Sequence, residues 1–149
     1  MEDPYDLERF VEAQEGTFEQ ACAELRRGRK TGHWIWFIFP QMRGLGMSAM
    51  SERYGIGSLK EAKAYLAHPV LGPRLREISE IVLGIEGRTV EEIFGWPDDM
   101  KLRSSMTLFA MASGDKRVFV DVLAKYFGGE RDERTLGLAV QAGAPPAPS

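Results

Sequence analysis

The sequence has 149 residues, 44% hydrophobic and 28% charged, with a net charge of −3 and a single cysteine. That is enough chain to bury one full hydrophobic core, and the balance is that of an ordinary globule. The acidic charge argues against a nucleic-acid partner, the lone Cys22 forbids an internal disulfide or a thiolate zinc cluster, and the longest apolar run, Trp34 to Phe39, is too short to cross a bilayer.

Taken in order, Asp3-Pro4 is expected to open a first helix, since Asp caps free N–H groups and Pro suits the first helical position. Leu7, Phe10, Val11 and Gln14 share one face of it, and Gly16 ends it. Thr17 and Gln20 read as a capping box for a second helix, with Phe18, Ala21, Cys22 and Leu25 as its apolar stripe and Gly28 as its stop. Cys22 sits among alanines in that pattern and reads as a buried structural thiol. The basic cluster Arg26, Arg27, Arg29 and Lys30 reads as a solvated helix end, where cations complement the macrodipole.

The aromatic stretch from Gly32 to Gln41 follows. It holds two of the three tryptophans, two of the eight phenylalanines and one of the two histidines. By propensity Trp-Ile-Trp-Phe-Ile-Phe is a buried strand, whereas by period it fits a buried helix equally well; Pro40 ends it either way. Arg43 to Met47 is a glycine-containing turn placed to edge any pocket beside that stretch. Ser48 is expected to cap a short helix to Tyr54, and Ser58 with Glu61 a capping box for the next, which stops at His68-Pro69. His68 is expected to cap that helix's C-terminus. A long helix from about Pro69 to Gly84 carries Leu71, Leu75, Ile78, Val82 and Ile85, and Thr89 with Glu92 marks a short one to Phe94. Asp98 is expected to cap a further helix with Leu102, Met106, Phe109 and Ala110 on its apolar side and Lys101, Ser104, Ser105 and Leu108 on a mixed face. Val118 to Tyr126 gives another amphipathic helix, and Asp132 caps a last one through Ala139. The Ala/Pro-rich tail 141–149 is expected to be disordered.

No interior segment alternates apolar and polar residues over strand length, so the expected fold is mainly α: a single multihelical domain, residues 1–140, built around the central aromatic segment. Five stretches carry a resemblance. They are Asp3-Pro4-Tyr5-Asp6-Leu7 with Arg9-Phe10-Val11 and Ala13-Gln14, His33-Trp34 with Trp36 to Gln41, Ala64-Tyr65-Leu66 with His68 to Gly72 and Arg74-Leu75, Ile93-Phe94-Gly95, and Lys101 to Phe109. Over about Asp3 to Leu138 the chain resembles the bacterial family catalogued as domain of unknown function 1810, whose members sometimes carry the automatic label "calpastatin", which we do not adopt. The resemblance implies a single-domain, mainly helical fold, tips the aromatic stretch toward helix, and brings no established activity.

Two groups of residues are candidates for chemistry. Trp34, Trp36 and Phe37, with His33 and Gln41, are either core or a stacking platform for a planar ligand whose polar edge His33 or Gln41 reads. Lys101, Arg103, Ser104 and Ser105 either belong to a helix that Asp98 and Asp99 cap and whose small serines allow close packing, or hold a phosphate or carboxylate; Lys101 and Ser105, four apart, also have the spacing of a Ser–Lys dyad. The two stretches are expected to pack together, with any site where they meet. The leading expectation is a cytoplasmic protein that binds a planar anionic small molecule such as a nucleotide or ADP-ribose derivative; if it catalyses a reaction, hydrolysis is the least demanding one, with a carboxylate or His33 as base. The rival is a protein-interaction module or homo-oligomer. No cofactor, metal, nucleic acid or membrane is expected; the oligomeric state stays open. The N-terminus is acidic and lacks an apolar run, so no signal peptide is expected.

Overall fold

Residues 3–143 are described by the computed structural model, and they form ten helices. The first departs from expectation at its start. The Asp3 carboxylate does accept from the Leu7 and Glu8 N–H groups, at 2.8 and 3.0 Å, but α1 (Glu8–Gln14) begins only there. Pro4 and Tyr5 form a turn and Asp6 takes a left-handed φ of 51°, so the helix starts well after the proline. In α2 (Phe18–Arg26) the expected Thr17–Gln20 box is absent: Thr17 makes no capping bond, and Gln20 donates to Glu24 at 2.9 Å instead.

The aromatic stretch resolves to a single helical turn, α3 (Ile35–Ile38). Propensity favours a strand, but a strand here has no neighbouring strand to satisfy its backbone, whereas the turn does so internally through Ile38 N–H to Trp34 C=O (3.1 Å) and Phe39 N–H to Ile35 C=O (3.0 Å). Extended pairing among the described residues is confined to one parallel bridge, Met42 with Ile56.

Ser48 caps α4 (Ala49–Tyr54) as expected, accepting from the Ser51 N–H. Ser58 caps α5 (Leu59–Ala67) by accepting from Glu61 N–H, but the Glu61 carboxylate reaches back to Gly57 N–H (3.1 Å), not to Ser58, because it also pairs with Arg9. His68 is the C-cap of α5 as expected, through its backbone N–H to Tyr65 C=O, but its imidazole serves the next helix: Nδ1 accepts from Val70 and Leu71 N–H at the start of α6 (Leu71–Gly84). The Thr89–Glu92 box on α7 (Val90–Phe94) is complete. At α8 (Asp98–Ala112) Pro97 takes the cap position, and Asp98, the first helical residue, turns to Lys30. Gly128, at φ 62°, closes α9 (Arg117–Phe127). Asp132 caps α10 (Glu133–Gly143), accepting from Thr135 N–H at 3.0 Å; the helix runs past the expected end at Ala139. The remainder of the expected disordered tail, residues 144–149, lies outside the described residues.

One hydrophobic core joins these helices, and α8 runs through it. It touches α3, α5, α7, α9 and α10. Its expected mixed face is mostly buried: Ser104, Ser105, Thr107 and Leu108 are covered along with Leu102, Met106 and Phe109. A helix buried on nearly all sides belongs at a domain centre. Aromatic rings link the layers, Phe10 to Tyr65 (5.1 Å), Tyr65 to Phe109 (5.3 Å) and Phe109 to Phe119 (6.1 Å).

The aromatic segment is held by a group with no obvious sequence signal. Glu24, 1% exposed, accepts from Thr31 N–H and Gly32 N–H (both 2.7 Å), Trp34 Nε1 (3.0 Å) and Gln20 Nε2. Burial alone pushes its carboxyl up, but the backbone and side-chain donors together outweigh that and hold it down at about 2. Glu24→Ala leaves several buried donors unsatisfied and is expected to cost about 3 kcal/mol in urea unfolding. Because the folded value lies below the ordinary 4.5, the Glu24 contribution to stability is complete above that pH and lost as pH falls toward about 2. An acid titration of the unfolding midpoint should show that loss in the native chain, and a flatter acid limb in Glu24→Ala.

Candidate functional site

The two key stretches do meet. Lys30 Nζ lies 2.6 Å from one oxygen of Asp98 and 4.9 Å from the centre of the Trp34 ring. Lys101 Nζ lies 3.5 Å from the other oxygen of Asp98 and 5.1 Å from the centre of the Trp36 ring. Each tryptophan therefore faces a lysine, and the two lysines share one carboxylate. Cations over indole faces are held by the ring quadrupole, and the shared aspartate keeps them close despite their like charge.

Beside this array is a cleft of about 280 Å³, lined by Gln41, Leu45 and Gly46 from the turn, Met100, Lys101 and Ser104 from α8, and Asp132 and Arg134 at the start of α10. Pro97 completes it. The glycine turn thus does edge the pocket. Gly46 is pressed against Ser51, leaving no room there for a side chain. The wall from α10 is fixed by Thr107, whose hydroxyl donates to Arg103 C=O (2.8 Å) and accepts from Asp132 N–H (3.0 Å). Asp132 is itself held by the N–H and hydroxyl of Thr135, and Arg134 donates to Gly44 C=O at 3.3 Å.

The candidate residues distribute unevenly around this cleft. Gln41, Lys101 and Ser104 line it. Trp36 is half-buried beneath Lys101, and its Nε1 is enclosed without a hydrogen-bond partner. Trp34 is 1% exposed and spends its Nε1 on Glu24, so its faces are not available for stacking. Phe37 is buried with its ring 5.4 Å from Tyr54. His33 is exposed and does not line the cleft. Arg103 turns toward Asp132 (3.7 Å) and Glu130 (3.8 Å) in a neighbouring recess. Ser105 is wholly buried with its hydroxyl unpartnered, so it makes no dyad with Lys101. Its spacing was compatible with one, but the helix faces the core there.

Sequence reasoning missed Lys30, Asp132 and Arg134. The Asp132 cap signal was legible; its position against α8, some thirty residues away in the chain, was not. Cys22 is buried, and burial pushes its thiol up to about 11, which removes it as a nucleophile. Among the described residues no group of three His, Cys, Asp or Glu side chains is placed to hold a metal ion, and no helix is long and apolar enough to cross a membrane.

The chain matches, over residues 4–139, the family described as "Protein of unknown function (DUF1810)". It belongs to that family. It is also similar to a solved crystal structure, the conserved hypothetical protein Rv1873 from Mycobacterium tuberculosis, with 57% identity and a TM-score of 0.91 over 93% of this chain and 99% of that one. No curated protein matches it. The solved neighbour shares this fold, and neither description names an activity.

The lysine–aspartate array makes a differential prediction. Lys30 is nearly enclosed and Lys101 is not. Asp98→Ala strands the enclosed ammonium and should cost about 2–3 kcal/mol in chemical denaturation, whereas Lys101→Ala removes a partly exposed pair and should cost about 1 kcal/mol or less.

Proposed function

We propose that this protein binds a small planar anion in the cleft between the 41–46 turn, α8 and α10. The observation that carries the proposal is the pairing of Lys101 and Arg134 in one concavity, with the amide-bearing Gln41 and the hydroxyl of Ser104 beside them. Cations give attraction for phosphate or carboxylate, and the neutral groups give orientation. Trp36 does not line the cleft itself, but its ring lies 5.1 Å from the ammonium of Lys101, which does, and this makes it the proposed stacking surface for a planar ligand.

Size narrows the ligand class. Ligand pockets commonly run from about 300 to 1,000 Å³, and this cleft, at about 280 Å³, falls at the small end. A mononucleotide, a nucleobase acid or a sugar phosphate suits it better than a whole ADP-ribose. The proposal is binding and not hydrolysis, because the carboxylate in the cleft, Asp132, is already committed to Thr135 and Arg103 and is poorly placed to serve as a base. We assign the protein to the bacterial cytoplasm, on the single buried free cysteine and the mycobacterial relative.

A different observation favours an interaction module. Three of the four large apolar side chains most exposed among the described residues, Met47 (97%), Trp96 (77%) and Met100 (38%), lie in or next to residues that line the cleft. Exposed apolar groups rimmed by charge are common where another protein docks.

Thermal-shift measurements separate the two. A ligand at a hundred times its dissociation constant adds about 2.7 kcal/mol, a shift of several degrees at this chain length. With mononucleotides and sugar phosphates as the panel, a shift is expected that Lys101→Ala and Arg134→Ala each abolish while Trp96→Ser keeps it. No shift across the panel, together with self-association that Trp96→Ser removes, would instead favour the interaction module.

A further inference from the structure

The same turn that edges the cleft carries Arg43, which points elsewhere. Arg43 lines a separate recess of about 340 Å³ with Tyr5, Asp6, Arg9, Arg53 and Glu61. Three guanidinium groups from three segments, α1, the turn and α4, thus converge on one concavity. Cations gathered in one concavity raise the local positive potential and favour an anion there.

Only one of the three is neutralised. Arg9 is a structural clamp: Nε donates to Arg53 C=O (2.9 Å), one terminal nitrogen to Tyr5 and Asp6 C=O, and the other to Gly55 C=O (3.0 Å) and to Glu61 (2.8 Å). Glu61 is used up by Arg9 and by Gly57 N–H. Arg43 donates from one terminal nitrogen to the same Gly55 carbonyl, at 3.1 Å, which draws its guanidinium beside that of Arg9. Arg53 rests 5.5 Å over the Tyr54 ring. Neither Arg43 nor Arg53 is in an ion pair among the described residues, and Asp6 is the one carboxylate of the recess not already spent on Arg9.

Arg43 is also held rigidly. Its N–H donates to Ile56 C=O at 2.8 Å in the parallel bridge, and a Cβ on Gly55 would come within 2.7 Å of the Arg43 Cβ. The backbone that presents the guanidinium is therefore fixed by close packing, while most of its N–H donors stay unspent. Fixed forks with free donors are what bidentate recognition of a tetrahedral anion uses, and a rigid presentation lowers the entropy lost on binding.

We propose that this recess is a second anion site, separate from the cleft, which takes a phosphate group through Arg43 and Arg53 over the Arg9 clamp. With Glu61 set against Arg9 and Asp6 also in the recess, the lining carries a net excess of one cation, and phosphate, with more acceptor oxygens than a carboxylate, suits two guanidinium forks better. The phosphate can arrive free, on a small ester or on a phosphorylated side chain, and these sources share the recognition chemistry.

Calorimetry at low salt tests it on the full chain with inorganic phosphate, phenyl phosphate and a phosphoserine tripeptide as probes, and succinate as the carboxylate control. Binding of at least one phosphate probe is expected, weakened about tenfold or more by Arg43→Gln and by Arg53→Gln. Lys101→Ala should leave it unchanged, so this site and the cleft succeed or fail independently. Which of the three probes binds tightest identifies the source. Both substituted side chains are exposed, and the melting temperatures of the variants check that the fold survives; Arg43→Lys, which keeps charge and loses the fork, should bind with intermediate affinity. No phosphate binding at about 10 mM, equal binding by the Arg43→Gln/Arg53→Gln double variant, or succinate binding as tightly as phosphate would overturn the proposal.

Discussion

A single buried carboxylate governs how the aromatic segment sits. Glu24 gathers the backbone of Thr31 and Gly32 and the indole of Trp34 onto α2, so the chain enters α3 at a fixed angle. From there the constraint passes outward through charge and π contacts: Trp34 faces Lys30, Lys30 pairs with Asp98, Asp98 pairs with Lys101, and Lys101 covers Trp36. A core residue on α2 therefore sets the position of a lysine on α8 that lines the cleft. None of the exposed links is strong by itself. Their effect depends on the first link being dry and fully satisfied, where hydrogen bonds to a charge are worth most.

The central helix has a cost that its neighbours offset. α8 buries serines and a threonine along with its apolar side chains. Thr107 and Ser104 meet that cost by bonding to carbonyls one turn back on the same helix. Thr107 also receives Asp132 N–H, which turns a buried hydroxyl into the joint between the helix and the cleft's far wall. The small side chains let α5, α9 and α10 approach closely, and the cleft is the place where that close packing stops.

Much of the fold was legible in the sequence, because helix ends are written locally. Ser48, Ser58, the Thr89–Glu92 box and Asp132 mark boundaries through side chain–backbone bonds that span only a few residues, and Gly128 does so through its left-handed backbone. Where a cap reader had a stronger partner elsewhere, the local signal failed: Gln20 went to Glu24, and Asp98 to Lys30. The strand propensity of the aromatic stretch lost to the lack of a pairing strand. For the site, the meeting of the two stretches was foreseeable from their composition, and Gln41, Lys101 and Ser104 do reach the cleft. Which of several aromatics is sunk and which is shallow was not, because a four-residue turn gives no usable periodicity. Trp34 and Trp36 differ by two residues and lie on opposite sides of the core boundary.

The contact between Arg134 and Gly44 spans ninety residues of chain. It adds to the shorter-range bond from Asp132 N–H to Thr107 on α8, so the α10 wall is tied to both of the other walls. The cleft is therefore bounded by parts of the chain far apart in sequence, the turn and α8 on two sides and the start of α10 on the third. Met100, Lys101 and Leu45 face the start of α10 across the cleft, and that helix start converts their face into a bounded cavity. The shape of the cleft thus depends on α10 being packed against α8 and the turn, elements from three separate parts of the chain.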